Sequence, residues 1–361
     1  MSEMPRLWMR HETRPTEQRA PITPDDARTL TEHGIEVTVE ESGQRVFPTV
    51  AYAAAGCRVA PRADWVNCPE GYYVLGLKEL PSEPSALRNR HIFFGHAYKG
   101  QVGARRLLAR FAAGGGALLD MEYLVDEDGR RLAAFGYWAG YAGAALAVLH
   151  RRGLLAPPLS SFSKDELDAG LRASRRGNPA LGTTAVVIGA HGRAGRGACD
   201  ALETAGIDPT RWDSADTEEL DHHALIAHDI LVNAIGTVRP VHPFLTEAGL
   251  DDPARRLSVL CDVTCDVASE FNAVPVYDKA TDWESPVVRL RDGERPLDVI
   301  AIDNLPSLIP ADASRDFSAQ LCPLLLSLRD GSPVWARSLR AFRLASSSMG
   351  SQVAGSTETT R

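Results

Sequence analysis

The chain has 361 residues, of which 39 are Lys or Arg and 47 are Asp or Glu, so its formal net charge is −8. That length suggests two domains, and apolar and charged fractions of 44% and 24% are typical of a folded globular protein. The acidic balance argues against the basic surface that a nucleic-acid-binding protein normally carries. We therefore expect a small-molecule partner, with no nucleic acid and no membrane.

The termini, the apolar runs and the cysteines indicate the compartment. Residues 1–14 lack the apolar core of a signal peptide, and the apolar run at 133–150 is rich in Gly and Ala, which favours a buried helix over a membrane span. The six cysteines are too sparse for a disulfide framework. Cys261 and Cys265 are spaced like a ligand pair, but no second pair accompanies them. We interpret them as buried thiols, predict no metal site and expect a cytoplasmic protein.

The first third of the chain alternates strand and helix signals. Thr23, followed by Pro24, is typical of a helix start, and this helix is predicted to end at Gly34. The other elements predicted here are strands at Leu7–Arg10, Ile35–Glu40, Tyr72–Leu77, His91–Gly95 and Ala117–Leu124, and a helix at Gln101–Ala113. Repeated βα units of this kind predict a parallel sheet with helices on both faces.

A polar connector at Pro157–Asn178, with a helix at Lys164–Arg175, leads into a second α/β series. Its predicted strands are Thr183–Gly189, Arg211–Asp213, Asp229–Ala234, Leu257–Val263 and Val299–Ile302, and its predicted helices are Gly195–Ala205, Ser314–Leu328 and Pro333–Leu344. The predicted fold class is α/β, with two Rossmann-like doubly wound domains and a cleft between them.

The strongest local signal is the glycine-rich turn after the strand Thr183–Gly189. Glycines at 189, 192, 195 and 197 follow a β-branched strand and open a helix. Such a turn lets backbone N–H groups approach a pyrophosphate at a helix N-terminus. Asp213 stands about 24 residues beyond Gly189, at the end of the next strand, where an acidic residue binds the adenosine ribose and disfavours a 2′-phosphate. The alternative is a ligand-free glycine turn, but the combination favours NAD over NADP.

The cofactor residues predicted from this turn are Gly189, Gly192, Arg193, Ala194, Gly195 and Asp213. The first α/β unit has no glycine turn of this kind, so we assign it to the substrate. The predicted domains are therefore 1–135 with 312–345 for the substrate and 136–311 for NAD, followed by a disordered tail at 346–361. The protein is expected to be a monomer or a small homo-oligomer.

Ionisable residues in the first unit follow the predicted strands directly. Lys78 and Glu79 follow one strand, and His96 and Lys99 follow the next. Ligands of open α/β sheets bind beyond the carboxyl ends of strands. A lysine amine flanked by cations can act as a base near neutrality, and His96 would be the second acid–base group. Further charged residues of this set are Arg14, Glu17 and Arg19 after the first strand, with Arg130 and Arg131 near the domain junction.

For any one of these residues, the simpler interpretation is a charged side chain on a solvent-exposed loop. Together they predict a pocket dense in Lys and Arg, which suits a substrate with several carboxylates.

Several segments together resemble the NAD-dependent, L-lysine-forming saccharopine dehydrogenase family. The similar segments are Arg-His-Glu-Thr-Arg-Pro-Thr-Glu-Gln-Arg-Ala-Pro-Ile-Thr-Pro, Gly-Leu-Lys-Glu-Leu-Pro, His-Ile-Phe-Phe-Gly-His-Ala-Tyr-Lys, Gly-Arg-Arg-Leu-Ala-Ala-Phe-Gly-Tyr, Val-Ile-Gly-Ala-His-Gly-Arg-Ala-Gly-Arg-Gly and Ile-Asp-Asn-Leu-Pro-Ser-Leu-Ile-Pro. The similarity runs from residue 8 to about 340. Alanine dehydrogenase and transhydrogenase share the two-domain plan more loosely.

The resemblance implies oxidation of the secondary amine of saccharopine by NAD, followed by hydrolysis of the imine to lysine and 2-oxoglutarate. It implies that Lys78 is the base for the amine proton and that His96 activates water. The resemblance further implies tuning of these two groups by Glu79 and Glu17, carboxylate binding by Arg19, Lys99 and Arg131, substrate contacts from Arg14 and Phe135, and a cofactor contact on the nicotinamide side from Asp303.

The sequence departs from the family pattern at several positions. Arg14 stands where the family has Lys, Asn304 where it has His, Gly100 where it has an acidic or amide residue, and Ala104 where it has Trp. Ala194 and Ala234 replace two cysteines of fungal members, so that disulfide is impossible. Two alternatives stay open: a related dehydrogenase acting on another amino acid or opine-type secondary amine, and a non-catalytic NAD-binding module.

Overall fold

A computed structural model describes residues 4–99, 101–175, 182–237, 241–265, 267, 269, 271–330 and 332–355. The chain divides into two compact units: Met1–Ala134 with Ala313–Arg361, and Phe135–Asp312. The predicted fold class, two α/β units built on parallel sheets, is confirmed.

The first unit contains a six-stranded sheet with the order β3-β2-β1-β4-β5-β6, in which every described pair is parallel. Its strands are β1 (Arg6–Met9), β2 (Glu36–Glu40), β3 (Arg58–Ala60), β4 (Tyr72–Leu75), β5 (Arg90–Phe93) and β6 (Ala117–Asp120). The strand order reverses between β1 and β4. Open α/β sheets bind their ligands at the carboxyl ends of the strands that flank such a reversal.

The helices of the first unit are α1 (Pro24–Glu32), α2 (Thr49–Ala54), α3 (Ala104–Gly114), α10 (Pro310–Leu326, which begins in the second unit) and α11 (Pro333–Gly355). The predicted cap of α1 is confirmed, because the Thr23 hydroxyl accepts a hydrogen bond from the Asp26 N–H at 3.2 Å. Phe342 of α11 packs edge to face on Phe111 of α3, with ring centroids 5.6 Å apart.

The second unit contains another six-stranded sheet, with the order β11-β12-β10-β9-β7-β8. Its strands are β7 (Ala185–Ile188), β8 (Thr210–Trp212), β9 (Ile230–Asn233), β10 (Val259–Asp262), β11 (Val288–Arg291) and β12 (Leu297–Ile300). Its helices are α4 (Gly136–Arg151), α5 (Lys164–Ala173), α6 (Arg193–Thr204), α7 (Ser214–Glu218), α8 (His222–Ile226) and α9 (Glu247–Leu250). All described pairs are parallel except β11 with β12.

Helix α4 is the Gly/Ala-rich segment that the sequence predicts to be buried. Its small residues let α6 pack very closely, since a Cβ atom on Gly140 would lie only 1.7 Å from the Ala194 carbonyl oxygen. The prediction of a buried helix is confirmed. Within the described part of the chain, no helix is both long enough and apolar enough to cross a bilayer.

The predicted disordered tail differs from the structure. Helix α11 continues to Gly355, past the predicted tail start at residue 346. The hydroxyls of Ser347 and Ser348 donate to the carbonyl oxygens of Leu344 and Ala345, so these two serines satisfy their hydroxyls within the helix. Residues 356–361 lie outside the described residues.

Candidate active site

The predicted acid–base residues of the first unit lie at one edge of its sheet. Lys78 follows β4, and His96 follows the neighbouring strand β5. The two loops are joined directly, because the Phe94 N–H donates to the Leu77 carbonyl at 3.1 Å. The structure therefore brings the Lys78 loop and the His96 loop together beside the strand reversal, where this fold binds ligands.

Two buried residues from the end of β1 hold the Lys78 loop in place. The Glu12 carboxylate accepts hydrogen bonds from the Leu77 N–H at 2.7 Å and from the Lys78 N–H at 3.0 Å. The Arg10 guanidinium donates to the Lys78 carbonyl oxygen and lies 3.3 Å from the Glu12 carboxylate. Gly76 leaves the space for Arg10, since a Cβ atom there would lie 2.3 Å from the Arg10 Nε. The Lys78 N–H and carbonyl groups are thus both hydrogen-bonded, which fixes the backbone position from which the Lys78 side chain extends.

His96 lies at a backbone turn with a left-handed conformation, φ = 47°. Few non-glycine residues adopt this conformation, although histidine does so more often than most, and such positions are concentrated at functional sites. Its ring Nδ1 lies 3.6 Å from the Glu122 Oε1, and the Arg131 guanidinium donates to the same oxygen at 3.1 Å. Glu122, just beyond β6, therefore connects the predicted water-activating imidazole with a predicted carboxylate-binding arginine.

Glu17 and Arg19 form a buried bidentate ion pair. The Arg19 Nε donates to the Glu17 Oε1 at 2.9 Å, and its Nη2 donates to Oε2 at 2.6 Å. Burial by itself would raise the pKa of Glu17, but the Arg19 charge and hydrogen bonds, with the Lys78 charge, hold the pKa below its usual value. Glu17 is therefore an ionised group close to the Lys78 amine.

Glu79 pairs with Arg14, whose Nε lies 2.5 Å from the Glu79 Oε1. Burial opposes ionisation of this carboxyl, but the hydrogen bond and charge of Arg14, with the Lys78 charge, lower its pKa. Together with Arg10–Glu12, Arg19–Glu17 and Arg131–Glu122, this makes four arginines that each have a glutamate partner. The sequence suggested a locally cationic pocket, whereas the structure shows cations whose orientation is set by paired carboxylates.

The other predicted substrate residues, Lys99 and Phe135, lie outside these four arginine–glutamate pairs. Lys99 is exposed in the loop after β5, and its N–H donates to Gln101 at 2.8 Å. Phe135 is half-buried at the N-cap of α4 and is the first residue of the second unit. Ala104, which replaces a family Trp, begins α3 and is buried. Gly100 lies outside the described residues.

The glycine-rich turn in the second unit has the backbone that the sequence predicts. Gly189 has φ = 78°, a left-handed conformation that favours glycine, and the Gly189 and Ala190 N–H groups donate to the Trp212 carbonyl at 2.9 and 3.1 Å. A Cβ atom on Gly195 would lie 2.0 Å from the Gly189 carbonyl oxygen. Gly192 caps α6 with extended backbone, so Arg193, Ala194 and Gly195 form the first helical turn. This side-chain-poor turn at a helix N-terminus fits the pyrophosphate of NAD.

Asp213 lies beside this turn because β8 pairs with β7 and ends at Trp212. Its carboxylate accepts a hydrogen bond from the Ala215 N–H at 2.8 Å, and it remains about half exposed. Arg211, the cation that could neutralise a 2′-phosphate, is paired with Glu203 and Asp208. This arrangement fits NAD better than NADP.

Two further predicted positions follow β12 in the second unit. Asp303 is exposed beyond the strand end, where it was predicted to contact the nicotinamide side of the cofactor. Asn304 is buried, and its Nδ2 donates to the Ser307 hydroxyl at 2.6 Å. The cysteine prediction holds for Cys261, which is fully buried with its pKa raised by burial, whereas Cys265 is half-buried.

Sequence reasoning missed Arg10, Glu12 and Glu122, all at the carboxyl ends of strands. Arg10 and Glu12 stand in the Arg-His-Glu segment that the family resemblance includes, and this was the available signal. Nothing local indicated Glu122, because its partners His96 and Arg131 are distant in sequence.

Comparison with known proteins adds to this geometry. Residues 8–142 match the family model described as the alanine dehydrogenase/PNT N-terminal domain. Saccharopine dehydrogenase [NAD(+), L-lysine-forming] from Schizosaccharomyces pombe is 39% identical over 94% of this chain and 97% of its own length. The protein of the same name from Neurospora crassa is 42% identical over 93% of this chain and 95% of its own.

The chain belongs to the NAD(+), L-lysine-forming saccharopine dehydrogenase family. Among solved structures, an L-alanine dehydrogenase matches with a TM-score of 0.66 at 16% identity, covering 94% of this chain and 93% of that one. At that identity the match shows the fold alone. This chain thus shares its α/β fold with that L-alanine dehydrogenase.

Proposed function

We propose that the protein catalyses the reversible NAD-dependent oxidation of saccharopine to L-lysine and 2-oxoglutarate. The observation that carries the proposal is the pair Lys78 and His96 on two hydrogen-bonded loops, in a chain that matches saccharopine dehydrogenases along nearly its whole length. The glycine turn at Gly189 and the carboxylate of Asp213 support NAD as the cofactor.

The oxidation requires a free electron pair on the secondary amine nitrogen of saccharopine. Bound NAD+ supplies the acceptor for the hydride that leaves the carbon next to this nitrogen. The Lys78 amine takes the proton from the secondary ammonium, so that the nitrogen electron pair forms the C=N bond as the hydride departs. The Glu12 and Arg10 contacts hold the Lys78 backbone, from which the side chain extends, in place during the transfer.

Hydrolysis of the resulting imine requires an activated water. The His96 imidazole accepts a proton from water as the oxygen attacks the imine carbon, and Glu122 beside Nδ1 orients the ring and stabilises the imidazolium. The amine nitrogen then receives a proton. The C–N bond breaks as the new hydroxyl group gives up its proton to a base and its oxygen forms the C=O bond, which releases lysine and 2-oxoglutarate. The sum is saccharopine, NAD+ and water giving lysine, 2-oxoglutarate, NADH and one proton.

Saccharopine carries three carboxylates, which suit the preset cations of the first unit. Arg14, Arg19 and Arg131 are already oriented by glutamate partners, so little conformational entropy is lost when a substrate carboxylate binds as a further acceptor. Lys99 adds an exposed ammonium in the loop after β5. These assignments follow from position and charge.

The acid–base roles are tested with Lys78→Met and His96→Gln. Each should lower kcat by roughly 100- to 10,000-fold, the usual range for loss of a general acid or base, while NADH binding measured by fluorescence is retained. Lys279→Met, which removes an exposed lysine in the second unit, is the matched control and should keep wild-type turnover. Full activity of the double variant Lys78→Met/His96→Gln would refute the acid–base roles of these residues. NADH binding without turnover of any substrate by the wild type would instead favour the non-catalytic NAD-binding module.

We also propose a cytoplasmic location and a monomer or small homo-oligomer. Five of the six cysteines, Cys57, Cys68, Cys199, Cys261 and Cys322, are free thiols, which is typical of proteins in reducing compartments. Fractionation of the source cells and sedimentation analysis of the purified chain test these two points.

A further inference from the structure

A buried polar pair lies at the point where the strand order of the second sheet reverses. The order reverses between β7, which leads into the glycine-rich turn, and its neighbour β9. Asn233 ends β9, is buried and is the register partner of Ile188, the residue before Gly189. Asp262 ends the next strand, β10, and is fully buried. Because open α/β sheets bind ligands at such a reversal, both side chains stand at the sheet edge that we assign to NAD.

The Asp262 carboxylate accepts hydrogen bonds from three segments of the chain. Its Oδ1 accepts from the Asn233 Nδ2 at 3.0 Å, from the Thr264 N–H at 3.0 Å and from the Thr264 hydroxyl at 2.7 Å. Its Oδ2 accepts from the Tyr277 hydroxyl at 2.6 Å. Burial, with the negative charge of Asp262, raises the pKa of Tyr277, so this phenol stays protonated and remains a donor. One carboxylate therefore fixes the end of β9, the loop after β10 and the segment around Tyr277.

Asn233 connects this carboxylate with the loop after β9. A carboxylate only accepts hydrogen bonds, so the NH₂ group of the Asn233 amide faces Asp262 and its oxygen points the other way. That oxygen accepts a hydrogen bond from the Ile235 N–H at 3.3 Å. The orientation of the amide is thus set by Asp262, and the amide in turn restrains the Ile235 backbone.

Ile235 lies directly against the glycine-rich turn. A Cβ atom on Gly189 would be 2.6 Å from the Ile235 Cγ1 and 3.4 Å from the Ala234 carbonyl oxygen. Since packing here is this close, a shift of Ile235 would either press on Gly189 or leave a gap beside it. The position of Ile235 therefore influences the shape of the turn that is assigned to the pyrophosphate.

We propose that Asn233 and Asp262 are positioning residues of the cofactor site, which set the affinity for NAD by holding Ile235 against the Gly189 turn. This inference rests on the proposed NAD site and does not depend on the identity of the substrate. Neither side chain has to touch NAD, since the pair acts through the Ile235 backbone.

The test is a fluorescence titration of the full-length protein with NADH. Asn233→Ala removes the acceptor of the Ile235 N–H, and Asp262→Leu, which is close in size, removes every acceptor of the carboxylate. Each should weaken NADH binding about tenfold, because a loop that is ordered only on binding lowers the affinity. The two residues act in series, so the double variant should bind NADH no more weakly than the weaker single variant. Asp262→Asn keeps an acceptor oxygen for Asn233 and should bind NADH within about threefold of the wild type.

Asp229→Leu is the matched control for Asp262→Leu. Asp229 is also buried and accepts hydrogen bonds from the Thr184 N–H at 2.9 Å and the Thr184 hydroxyl at 3.0 Å, but it directly precedes β9 and so lies at the opposite end of that strand. Asp229→Leu should lower the thermal midpoint, as Asp262→Leu does, and leave the NADH affinity unchanged. When turnover is measured, Asn233→Ala should raise the KM for NAD+ about tenfold and change kcat by less than about twofold.

The inference is overturned if folded Asn233→Ala and Asp262→Leu bind NADH like the wild type, or if Asp229→Leu weakens NADH binding as much as Asp262→Leu does. If Asp213→Asn weakens NADH binding and these two variants do not, the inference fails and the proposed cofactor site stands. If none of the three weakens it, both fail. Should Asp262→Leu not fold, amide exchange of Ile235 without NADH provides a second measurement. It should be about tenfold faster in Asn233→Ala than in the wild type, and an unchanged rate would also overturn the inference.

Discussion

Glu12 offers a sharp test of how the Lys78 loop is positioned. Its buried carboxylate accepts two backbone hydrogen bonds, from Leu77 and from Lys78, and lies against Arg10. Glu12→Ala would leave both N–H groups and a buried guanidinium without this partner. Hydrogen bonds to a charged group contribute about 1.5–3 kcal/mol each, so the loop should lose roughly 3 kcal/mol or more of local stability.

The assay is amide hydrogen exchange of the peptide that contains Leu77 and Lys78. A two-unit chain need not unfold in one step, so this local measure is preferable to a global free energy of unfolding. Because 1.4 kcal/mol corresponds to a factor of ten, exchange of these amides should accelerate about 100-fold or more in Glu12→Ala. A mispositioned Lys78 amine should also lower kcat/KM by about 100-fold.

Two further variants serve as comparisons for Glu12→Ala. Glu12→Gln keeps one acceptor oxygen and should show an intermediate acceleration of about tenfold. Glu70→Ala removes an exposed glutamate that precedes β4 and should exchange like the wild type at Leu77 and Lys78. Unchanged protection and full activity in Glu12→Ala would refute the conclusion that Glu12 fixes the loop.

Three more outcomes follow from single contacts. Gly140→Ala should lower both the thermal midpoint and the affinity for NADH, because its Cβ atom would meet the Ala194 carbonyl. Gly170→Ala, which has open space around it, should instead stabilise α5 by about 0.5–1 kcal/mol. Equal thermal midpoints of the two variants would contradict this reasoning. Asp213→Asn should weaken NAD+ binding about tenfold in fluorescence titrations and reduce the ratio of NAD+ affinity to NADP+ affinity. An unchanged ratio would show that Asp213 does not select between the two cofactors. Glu17 has a folded pKa below its unfolded value of about 4.3, so its stabilising effect exists above that pH and disappears as the pH falls below it. The difference in thermal midpoint between wild type and Glu17→Gln should be constant from about pH 6 to 8 and shrink below about pH 4; a difference that grows on acidification would contradict the assignment.

Much of the fold and the cofactor turn could be predicted because their signals are local. The turn at Gly189, the helix after it and Asp213 at the end of β8 lie within one βα unit, and each depends on near neighbours. Short polar strands carry no such local signal. β3 and the antiparallel strand β11 have mostly exposed or half-exposed residues and no clear alternation, so neither was predicted.

The substrate side of the site could be predicted only in part. Lys78 and His96 were predicted from their positions after apolar strands, whereas the residues that contact their loops were not predicted. Glu12 binds a loop 65 residues further on. Such partners meet only when β1 lies beside β4, and a pattern of neighbouring residues cannot show this. The sequence predicted a cluster of cations, whereas in the structure the arginines of this cluster are oriented by ion pairs with glutamates.

The central claim is tested most directly by following NADH formation when the purified protein is mixed with NAD+ and saccharopine, alanine or another opine-type amino acid in turn, with the products analysed. We predict that saccharopine alone gives sustained turnover, with one lysine and one 2-oxoglutarate formed for each NADH. No NADH from millimolar saccharopine, together with turnover of alanine or of another secondary amine, would contradict the account and assign the site to a different substrate.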